Sequence, residues 1–170
     1  VPHNIIGPRQ KYDDPYRNVA SIMINRMLQG KQPVIYGDGQ QRRCFSFVGD
    51  VLPVMMRLME CDVEHSEVFN VGPDEGDVTI LQLAEMIADL LNFRLNPIFH
   101  LDRPCEMKVA VCSSDKIRRR FGYETKTTLR TGLQSMIDHV RERGPRPFDY
   151  YLPLEIESGL TPRTWKERLI

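Results

Sequence analysis

The sequence predicts an α/β fold in which at least some of the strands pair in parallel. Short runs of β-branched and aromatic residues, such as Ile5–Ile6 and Val34–Tyr36, are separated by stretches whose apolar residues recur at helical spacing. Residues that favour helix caps precede several of these stretches, and glycine often follows them. Strands that alternate with helices in this way are typical of sheets with parallel pairs.

The first predicted strand, Ile5–Ile6, runs into a turn at Gly7-Pro8. A polar loop follows, and then a helix with Asn18 as its cap and Gly30 at its end. The short run Val34–Tyr36 is the second predicted strand, because β-branched and aromatic residues fit a pleated, half-buried surface.

The apolar spacing from Val51 to Met59 predicts a second amphipathic helix. We expect Asp50 to cap this helix and Pro53 to fall in its first turn, where the missing backbone donor costs little. Because methionine fills irregular gaps in protein interiors, we interpret the methionine-rich face of this helix as core packing.

The alternation continues through the second half of the chain. In order, the predicted elements are a buried strand Glu67–Gly72, a helix opened by the capping box Thr79–Gln82, short strands Pro97–His100 and Val109–Val111, a short basic helix after Ser114 that ends at Phe121-Gly122, and a longer helix capped by Thr128. From Gly144 onwards the sequence is rich in proline and aromatic residues and lacks periodicity. We expect an irregular tail that packs over the surface.

One stretch, Gly37 to Asp50, combines a glycine turn with two adjacent arginines. Two glycines permit a tight turn or a close approach to a ligand. Arg42 and Arg43 then follow the turn, and a fixed guanidinium presents a planar fork of donors that suits a phosphate. The alternative interpretation is a plain hairpin whose arginines are solvated.

The composition narrows the possible partners. Acidic and basic residues balance at 23 each, so no bulk charge favours nucleic acid or an anionic membrane. The apolar runs are too short to span a bilayer. The four cysteines lack the pair spacing of zinc sites, so we expect no metal and a reduced, cytoplasmic protein.

Several segments, taken together and in order, carry a resemblance to a known family. These are His3 to Gln10, Val34 to Phe45, Phe69 to Gly72, Leu101 to Pro104, Ser114 to Lys116 and Thr128 to Leu133. The chain resembles the C-terminal, substrate-binding half of the extended short-chain dehydrogenases/reductases, and more narrowly their nucleoside-diphosphate-sugar epimerases, dehydratases and decarboxylases. The resemblance runs from residue 3 to about residue 140 and leaves the tail uncovered.

The resemblance implies a role for individual residues. The residues that match substrate-binding positions of the family are Asn4, Asn18, Ile35, Arg43, Asn70 and Arg103. Of these, Arg43 and Arg103 match the two arginines that hold the substrate diphosphate, and Ile35 lies in the segment that runs along the base. His3 is the one residue that we expect near the nicotinamide of NAD. Several positions depart from the family pattern, among them Cys44 and Cys105-Glu106, and they leave the sugar and the base open.

Two family signatures do not occur in this sequence. It has no Gly-x-x-Gly-x-x-Gly loop and no Tyr-x-x-x-Lys, so we expect no catalytic residue in this chain and NAD bound by a missing N-terminal half. The resemblance divides the chain into residues 1–8 at the end of a Rossmann-type domain, 9–47 in the substrate-binding domain, 48–72 returning to the Rossmann-type sheet, 73–143 in the substrate-binding domain and 144–170 as the tail. The missing half is also where we expect a homodimer contact.

The resemblance therefore implies the nucleotide-sugar-binding half of an NAD-dependent epimerase, in which a hydride leaves the sugar, a keto intermediate forms and the hydride returns. A dehydratase or decarboxylase of the same family is the alternative. Two further hypotheses are a non-catalytic nucleotide-binding protein on this scaffold and an interaction domain with solvated arginines. A Gly-rich loop and a Tyr-x-x-x-Lys upstream of Val1 distinguish the enzyme from both.

Overall fold

A computed structural model describes residues 1–61, 67–103, 105–152 and 160–170. Helices and strands alternate along these residues, as the sequence predicts. The helices are α1 (Val19–Leu28), α2 (Val48–Glu60), α3 (Ile80–Leu91), α4 (Asp115–Phe121), α5 (Leu129–Arg143) and α6 (Arg163–Lys166). The strands are β1 (Ile5–Ile6), β2 (Val34–Tyr36), β3 (Arg42–Arg43), β4 (Ser46–Phe47), β5 (Val78–Thr79), β6 (Ile98–His100) and β7 (Val109–Ala110).

These strands form three small sheets, and most of their pairs are parallel. β1 pairs with β4 and β2 pairs with β6, both in parallel. In the third sheet, β3 lies between an antiparallel β5 and a parallel β7. Each parallel pair joins strands that are separated by at least one helix along the chain. The predicted α/β class with parallel pairing is confirmed.

The plain hairpin that the sequence left open around Arg42 and Arg43 is not formed. β2 and β3, on the two sides of the glycine turn, belong to different sheets. Within the turn, Gly37 and Gly39 have φ angles of +61° and +75°, which side chains rarely adopt. A Cβ atom on Gly37 would also collide with the carboxylate of Asp102. The turn therefore requires glycine, as the sequence suggests.

Three predicted helix caps are confirmed. Asn18 Oδ1 accepts from Ala20 N at the start of α1, and Thr128 accepts from Thr131 N at the start of α5. Thr79 and Gln82 form a reciprocal capping box at the start of α3. These bonds satisfy backbone donors that have no partner inside the helix, so the three starts follow from local sequence.

The start of α2 differs from its prediction. The helix begins at Val48, with Phe47 at the cap position and no side-chain cap, so Pro53 lies inside the helix. Asp50 is a buried residue of the first turn and accepts a 3.0 Å hydrogen bond from Thr127 N. It therefore anchors the segment before α5, a contact across 77 residues that local sequence does not reveal.

The methionine-rich face of α2 is exposed, which contradicts its interpretation as core packing. Val51 and Val54 are buried, but Met55, Met56 and Met59 are 46%, 61% and 86% exposed. One face of the helix therefore packs in the chain, and the other lies open.

Residues Glu67–Gly72, predicted as a buried strand, form only one bridge. Val71 pairs in parallel with Pro2, and His3 N donates to Val71 O at 2.9 Å. Phe69 and Val71 are buried, whereas Val68 and Asn70 are exposed. This alternation of buried and exposed side chains is typical of an edge strand. Such a strand lacks the neighbours that would bury both of its faces.

The buried apolar residues form two clusters. The larger one joins α1, α3 and α5 around Ile24, Ile87 and Ile137 and also contains Ile6 and Ile35 of the strands. The smaller one joins α2, the segment at Phe69 and Val71, and α4 with Tyr123. The division of the chain into segments at residues 8, 47, 72 and 143 remains a prediction.

The described part of the tail packs on the main cluster. Asn25 of α1 is fully buried; its Nδ2 donates to Arg146 O at 2.8 Å, and its Oδ1 accepts from Arg146 N at 3.0 Å. Further on, α6 lies against β2 through a hydrogen bond between the hydroxyls of Tyr36 and Thr164. Among the described residues, no helix combines the length and the apolar character needed to cross a bilayer.

Candidate functional site

A cavity of about 270 Å³ lies between the N-terminus of α1, strand β2 and the glycine turn. One part of its lining is apolar, with Ile22, Val34 and Ile35. The other part is polar and, among the described residues, includes the three arginines Arg17, Arg43 and Arg103 and one carboxylate. We call this space the arginine-lined cavity. Its excess of positive charge favours an anionic ligand with an apolar portion.

The structure brings together most of the residues that the sequence singled out. The predicted substrate-binding residues that line the arginine-lined cavity are Asn4, Asn18, Ile35, Arg43 and Arg103. They come from positions up to 99 residues apart, counted from Asn4 to Arg103. Whether each contacts a substrate remains a prediction.

Two of the predicted residues lie elsewhere. Asn70 is exposed and does not line the arginine-lined cavity. His3 is also outside the lining, and its Nδ1 lies 3.6 Å from Cys44 Sγ. His3 and Asn70 therefore keep their predicted roles only if the ligand extends beyond this cavity.

The two asparagines are held by local hydrogen bonds. Asn4 Nδ2 donates to Cys44 O at 2.9 Å, and Asn4 has a φ of +34°, a backbone conformation that asparagine tolerates better than most residues. Asn18 uses its Oδ1 to cap α1. The N-terminus of α1 thus opens at the cavity, and the free amides and dipole of a helix N-terminus attract anions.

Arg43 sits on the wall of the cavity beside the carboxylate of Glu106. Its Nη1 donates to Arg42 O at 2.8 Å, and its Nη2 lies 3.5 Å from Glu106 Oε1. The side chains of Arg43 and Glu106 are only 16% and 20% exposed. This ion pair is long, so an anion with better geometry can displace Glu106 from the guanidinium.

Arg103 is held by aromatic rings. Its guanidinium carbon lies 4.5 Å from the ring centre of Tyr36 and 5.5 Å from that of Trp165. The Nε of Arg103 is buried and has no hydrogen-bond partner among the described residues. Stacking on the rings orients the guanidinium.

A second buried atom of the lining is also unpartnered. Gln41 Nε2 donates to Tyr36 O at 2.7 Å, but Gln41 Oε1 has no partner among the described residues. Buried polar atoms without a partner cost free energy and are rare in folded proteins. Arg103 Nε and Gln41 Oε1 are thus two unpartnered polar atoms on residues that line the same cavity.

Arg17 was not predicted as a site residue. Its Nε donates to Asp14 Oδ2 at 3.1 Å, and this hydrogen bond raises the pKa of Arg17, so the guanidinium keeps its charge. Asp14 itself is fully buried and also accepts from Tyr151 Oη at 3.0 Å. The sequence signal that could have identified Arg17 is its position directly before Asn18, the cap of α1.

The tail also contributes to the lining, which the sequence did not indicate. Ile170 lines the arginine-lined cavity, and Tyr150 Oη donates to Ile170 O at 3.2 Å. Trp165 packs edge-on against Tyr16, with ring centres 5.2 Å apart. The contact between Tyr16 and Trp165 joins segments that are more than a hundred residues apart and have no local signature.

Comparison with known proteins identifies the class of protein to which this fold belongs. Residues 1–72 match the NAD dependent epimerase/dehydratase family. UDP-glucuronic acid decarboxylases 2 and 4 of Arabidopsis thaliana are 34% and 35% identical to the chain over 140 and 146 residues. Each match covers 82% of this chain and 30% of the relative.

Solved structures show the same relationship. UDP-glucose 4-epimerase from Thermotoga maritima, solved with UDP-glucose, has 29% identity and a TM-score of 0.75. UDP-glucuronic acid 4-epimerase from Bacillus cereus, in complex with UDP-glucuronic acid and NAD, has 25% identity and a TM-score of 0.76. Both matches cover 84% of this chain, and they cover 45% and 44% of the two solved chains.

The fold is that of an extended short-chain dehydrogenase/reductase, in its C-terminal part. More narrowly, the chain belongs to the NAD dependent epimerase/dehydratase family, as the ordered motifs predicted. It spans less than half the length of these relatives.

Proposed function

We propose that this chain forms the nucleotide-sugar-binding part of an NAD-dependent nucleoside-diphosphate-sugar epimerase. The observation that carries the proposal is the arginine-lined cavity, which joins Arg43, Arg103 and the N-terminus of α1 to an apolar wall. In this arrangement the diphosphate lies between Arg43 and Arg103, and the base lies along Val34 and Ile35. Solved relatives with UDP-glucose and UDP-glucuronic acid support this ligand class.

A decarboxylase is the second candidate. Several relatives with at least 30% identity over 82% of the chain are UDP-glucuronic acid decarboxylases. Both reactions need the same nucleotide handle, because binding energy from the diphosphate and the base positions the sugar for chemistry. The arginine-lined cavity thus supports the ligand class, while the reaction depends on groups that meet the sugar.

NAD is the cofactor of the family, and it accepts and returns the hydride when bound. The residues of this chain fit NAD poorly: there is no Gly-x-x-Gly-x-x-Gly sequence to hold its pyrophosphate, and His3 faces Cys44. We therefore assign NAD and the proton-transferring Tyr-x-x-x-Lys pair to residues outside this chain. By itself the chain is expected to bind no NAD and to turn over no nucleotide sugar; calorimetric binding of NAD to the chain alone contradicts this assignment.

The proposal is tested with arginine variants of the full-length protein. Arg43→Ala and Arg103→Ala each remove a charge-assisted contact worth roughly 1.5–3 kcal/mol, so the affinity for UDP is expected to fall about ten- to a hundredfold. Arg→Lys at either position is expected to weaken binding as well, since a point charge cannot reproduce the fork. The affinity is measured by calorimetry.

Arg42→Ala is the matched control. Arg42 neighbours Arg43 in sequence but is exposed and pairs with Asp77. Equal and small losses in all three alanine variants mean a diffuse charge effect and contradict the specific site. Tight UDP binding without turnover of any nucleotide sugar by the full-length protein favours the non-catalytic hypothesis instead.

A further inference from the structure

Three metal-ligating side chains meet beside the arginine-lined cavity without being part of its lining. The Nδ1 of His3 and the sulfurs of Cys44 and Cys112 all lie within 4.8 Å of one another. Cys44 is buried, and the other two residues are half-buried. The cysteines are free, and neither the fold nor the proposed nucleotide site uses them.

The three side chains come from three segments that are joined by hydrogen bonds and strand pairing. His3 N donates to Val71 O at 2.9 Å. Cys44 O accepts from Asn4 Nδ2 at 2.9 Å, which joins its segment to that of His3. Cys112 follows β7, which pairs with β3, the strand that ends just before Cys44. Each ligand therefore lies one or two residues from a paired strand or bridge, and sites next to such rigid elements are positioned more precisely than sites on free loops.

Gly72 permits the third side chain to approach. A Cβ atom on Gly72 would lie 2.5 Å from Cys112 Sγ, closer than any real contact of this kind. The backbone of Gly72 is fixed in turn, because its N donates to Ser114 Oγ at 2.7 Å. The absence of a side chain at position 72 therefore makes room for the sulfur.

The spacing of the ligand atoms agrees with a tetrahedral ion. Zinc binds sulfur at about 2.3 Å and nitrogen at about 2.0–2.1 Å, so two neighbouring ligand atoms lie about 3.5–3.8 Å apart. His3 Nδ1 and Cys44 Sγ are 3.6 Å apart, within that range. All three atoms are close enough to meet one ion after small side-chain adjustments.

We infer that His3, Cys44 and Cys112 form a binding site for a zinc-type divalent metal ion. Two thiolates and one neutral imidazole are the ligand set that borderline-soft ions prefer, and two thiolates balance the charge of the ion. The half-buried positions of His3 and Cys112 leave a route for the ion and a fourth position for water. Spacing along the sequence cannot reveal this site, because its ligands are 41 and 68 residues apart, between positions 3 and 44 and between positions 44 and 112.

Metal binding releases protons from the ligands. When the ion binds, each thiol that becomes a ligand releases its proton to solvent. No oxidant or reductant takes part in this step.

The test is metal binding by the full-length protein, kept reduced and freed of metal with a chelator. It is titrated with Zn²⁺ and, separately, with Co²⁺, whose thiolate complexes absorb in the near ultraviolet. Cys44→Ser, Cys112→Ser and His3→Ala are each expected to weaken binding by more than about a hundredfold, beyond the roughly 10–100-fold cost of losing an outer-shell partner. Zn²⁺ is also expected to raise the thermal midpoint of the unsubstituted protein and of no ligand variant.

Cys61→Ser and Cys105→Ser are the matched controls, since both cysteines lie outside the cluster. Retention of one Co²⁺–thiolate signal in these two variants, with its loss in the three ligand variants, supports the site. The inference is overturned if the unsubstituted protein retains no more metal than a variant lacking all three ligands, or if the control variants lose the signal equally. Circular dichroism identifies any variant that fails to fold. If Cys112→Ser fails, Cys112→Ala replaces it, because the smaller side chain fits the space beside Gly72 without a buried hydroxyl; if Cys44→Ser or His3→Ala fails, Cys44→Ala or His3→Gln replaces it.

Discussion

Glu106 shows how one residue can set the strength of an anion site. Its Oε1 lies 3.5 Å from Arg43 Nη2, and its Oε2 lies 3.5 Å from Gln41 Nε2. It is the carboxylate in the lining of the arginine-lined cavity among the described residues. In the empty cavity it partly neutralises Arg43. A diphosphate bound to Arg43 lies close to the negative charge of Glu106. The repulsion between the two anions means that Glu106 opposes binding of the ligand that we propose.

Glu106→Gln is therefore expected to strengthen the binding of UDP to the full-length protein. The amide keeps the size of the side chain and removes its charge, and the gain is roughly 0.5–1 kcal/mol, about two- to fivefold in affinity. Calorimetry at two salt concentrations measures it, and the gain shrinks at high salt. Asp102→Asn is the control, because Asp102 pairs with Lys108 outside this cavity. An unchanged or weaker affinity in Glu106→Gln contradicts the role of this carboxylate.

At the scale of an element, α6 links the tail to the binding site. Thr164 is fully buried and bonds to the hydroxyl of Tyr36. Trp165 lies against Tyr16 and over the guanidinium of Arg103. A helix of four residues has little stability of its own, so these contacts rather than helix propensity hold it in place.

Trp165→Ala is expected to lower both the stability and the nucleotide affinity of the protein. Removing a half-buried indole costs about 1.5–2.5 kcal/mol, half or less of the value for a fully buried one. Arg103 then loses one of its two aromatic neighbours, and the affinity for UDP falls several-fold. Urea unfolding and calorimetry measure the two effects.

Glu167→Gln serves as the control for this element. Glu167 is exposed and forms an ion pair with Arg163, which lowers the pKa of Glu167. Such a surface change is expected to alter stability by less than about 0.5 kcal/mol. If Trp165→Ala behaves like Glu167→Gln, the tail does not support Arg103.

In the whole molecule, the described residues leave an apolar surface open on α2. On α2, Leu52, Met55, Met56 and Met59 are between 46% and 86% exposed, and Val68 nearby in the sequence is 69% exposed. Contiguous apolar surface of this kind is rare on monomers and promotes association. The resemblance predicts that the rest of a Rossmann-type sheet covers it in the full-length protein.

The chain produced by itself is therefore expected to self-associate. Met56→Lys combined with Met59→Lys places two charges on the open face of α2 and is expected to shift the chain towards monomer, as sedimentation velocity measures. Met107→Lys is the control, because Met107 is 64% exposed but lies outside α2. A chain that is monodisperse and melts cooperatively without substitution contradicts this expectation.

Features that depend on neighbouring residues could be predicted from the amino-acid sequence. The caps Asn18, Thr79 and Thr128 follow from local hydrogen-bonding chemistry, and the turn at Gly37 follows from its need for positive φ. The ordered motifs were enough to predict the family, and five of the six predicted binding residues do line one cavity.

Features that depend on contacts across the chain emerge from the three-dimensional structure alone. Contacts between distant segments set the partners of β3, the anchoring role of Asp50 and the packing of Trp165. They also bring His3 together with Cys44 and Cys112, and their absence leaves Met59 exposed. Burial and sheet pairing are set by which surfaces meet, and a pattern of apolar residues marks a face without naming what covers it. For this reason the apolar pattern of α2 predicts a buried methionine face, although the methionine side chains are exposed in this chain.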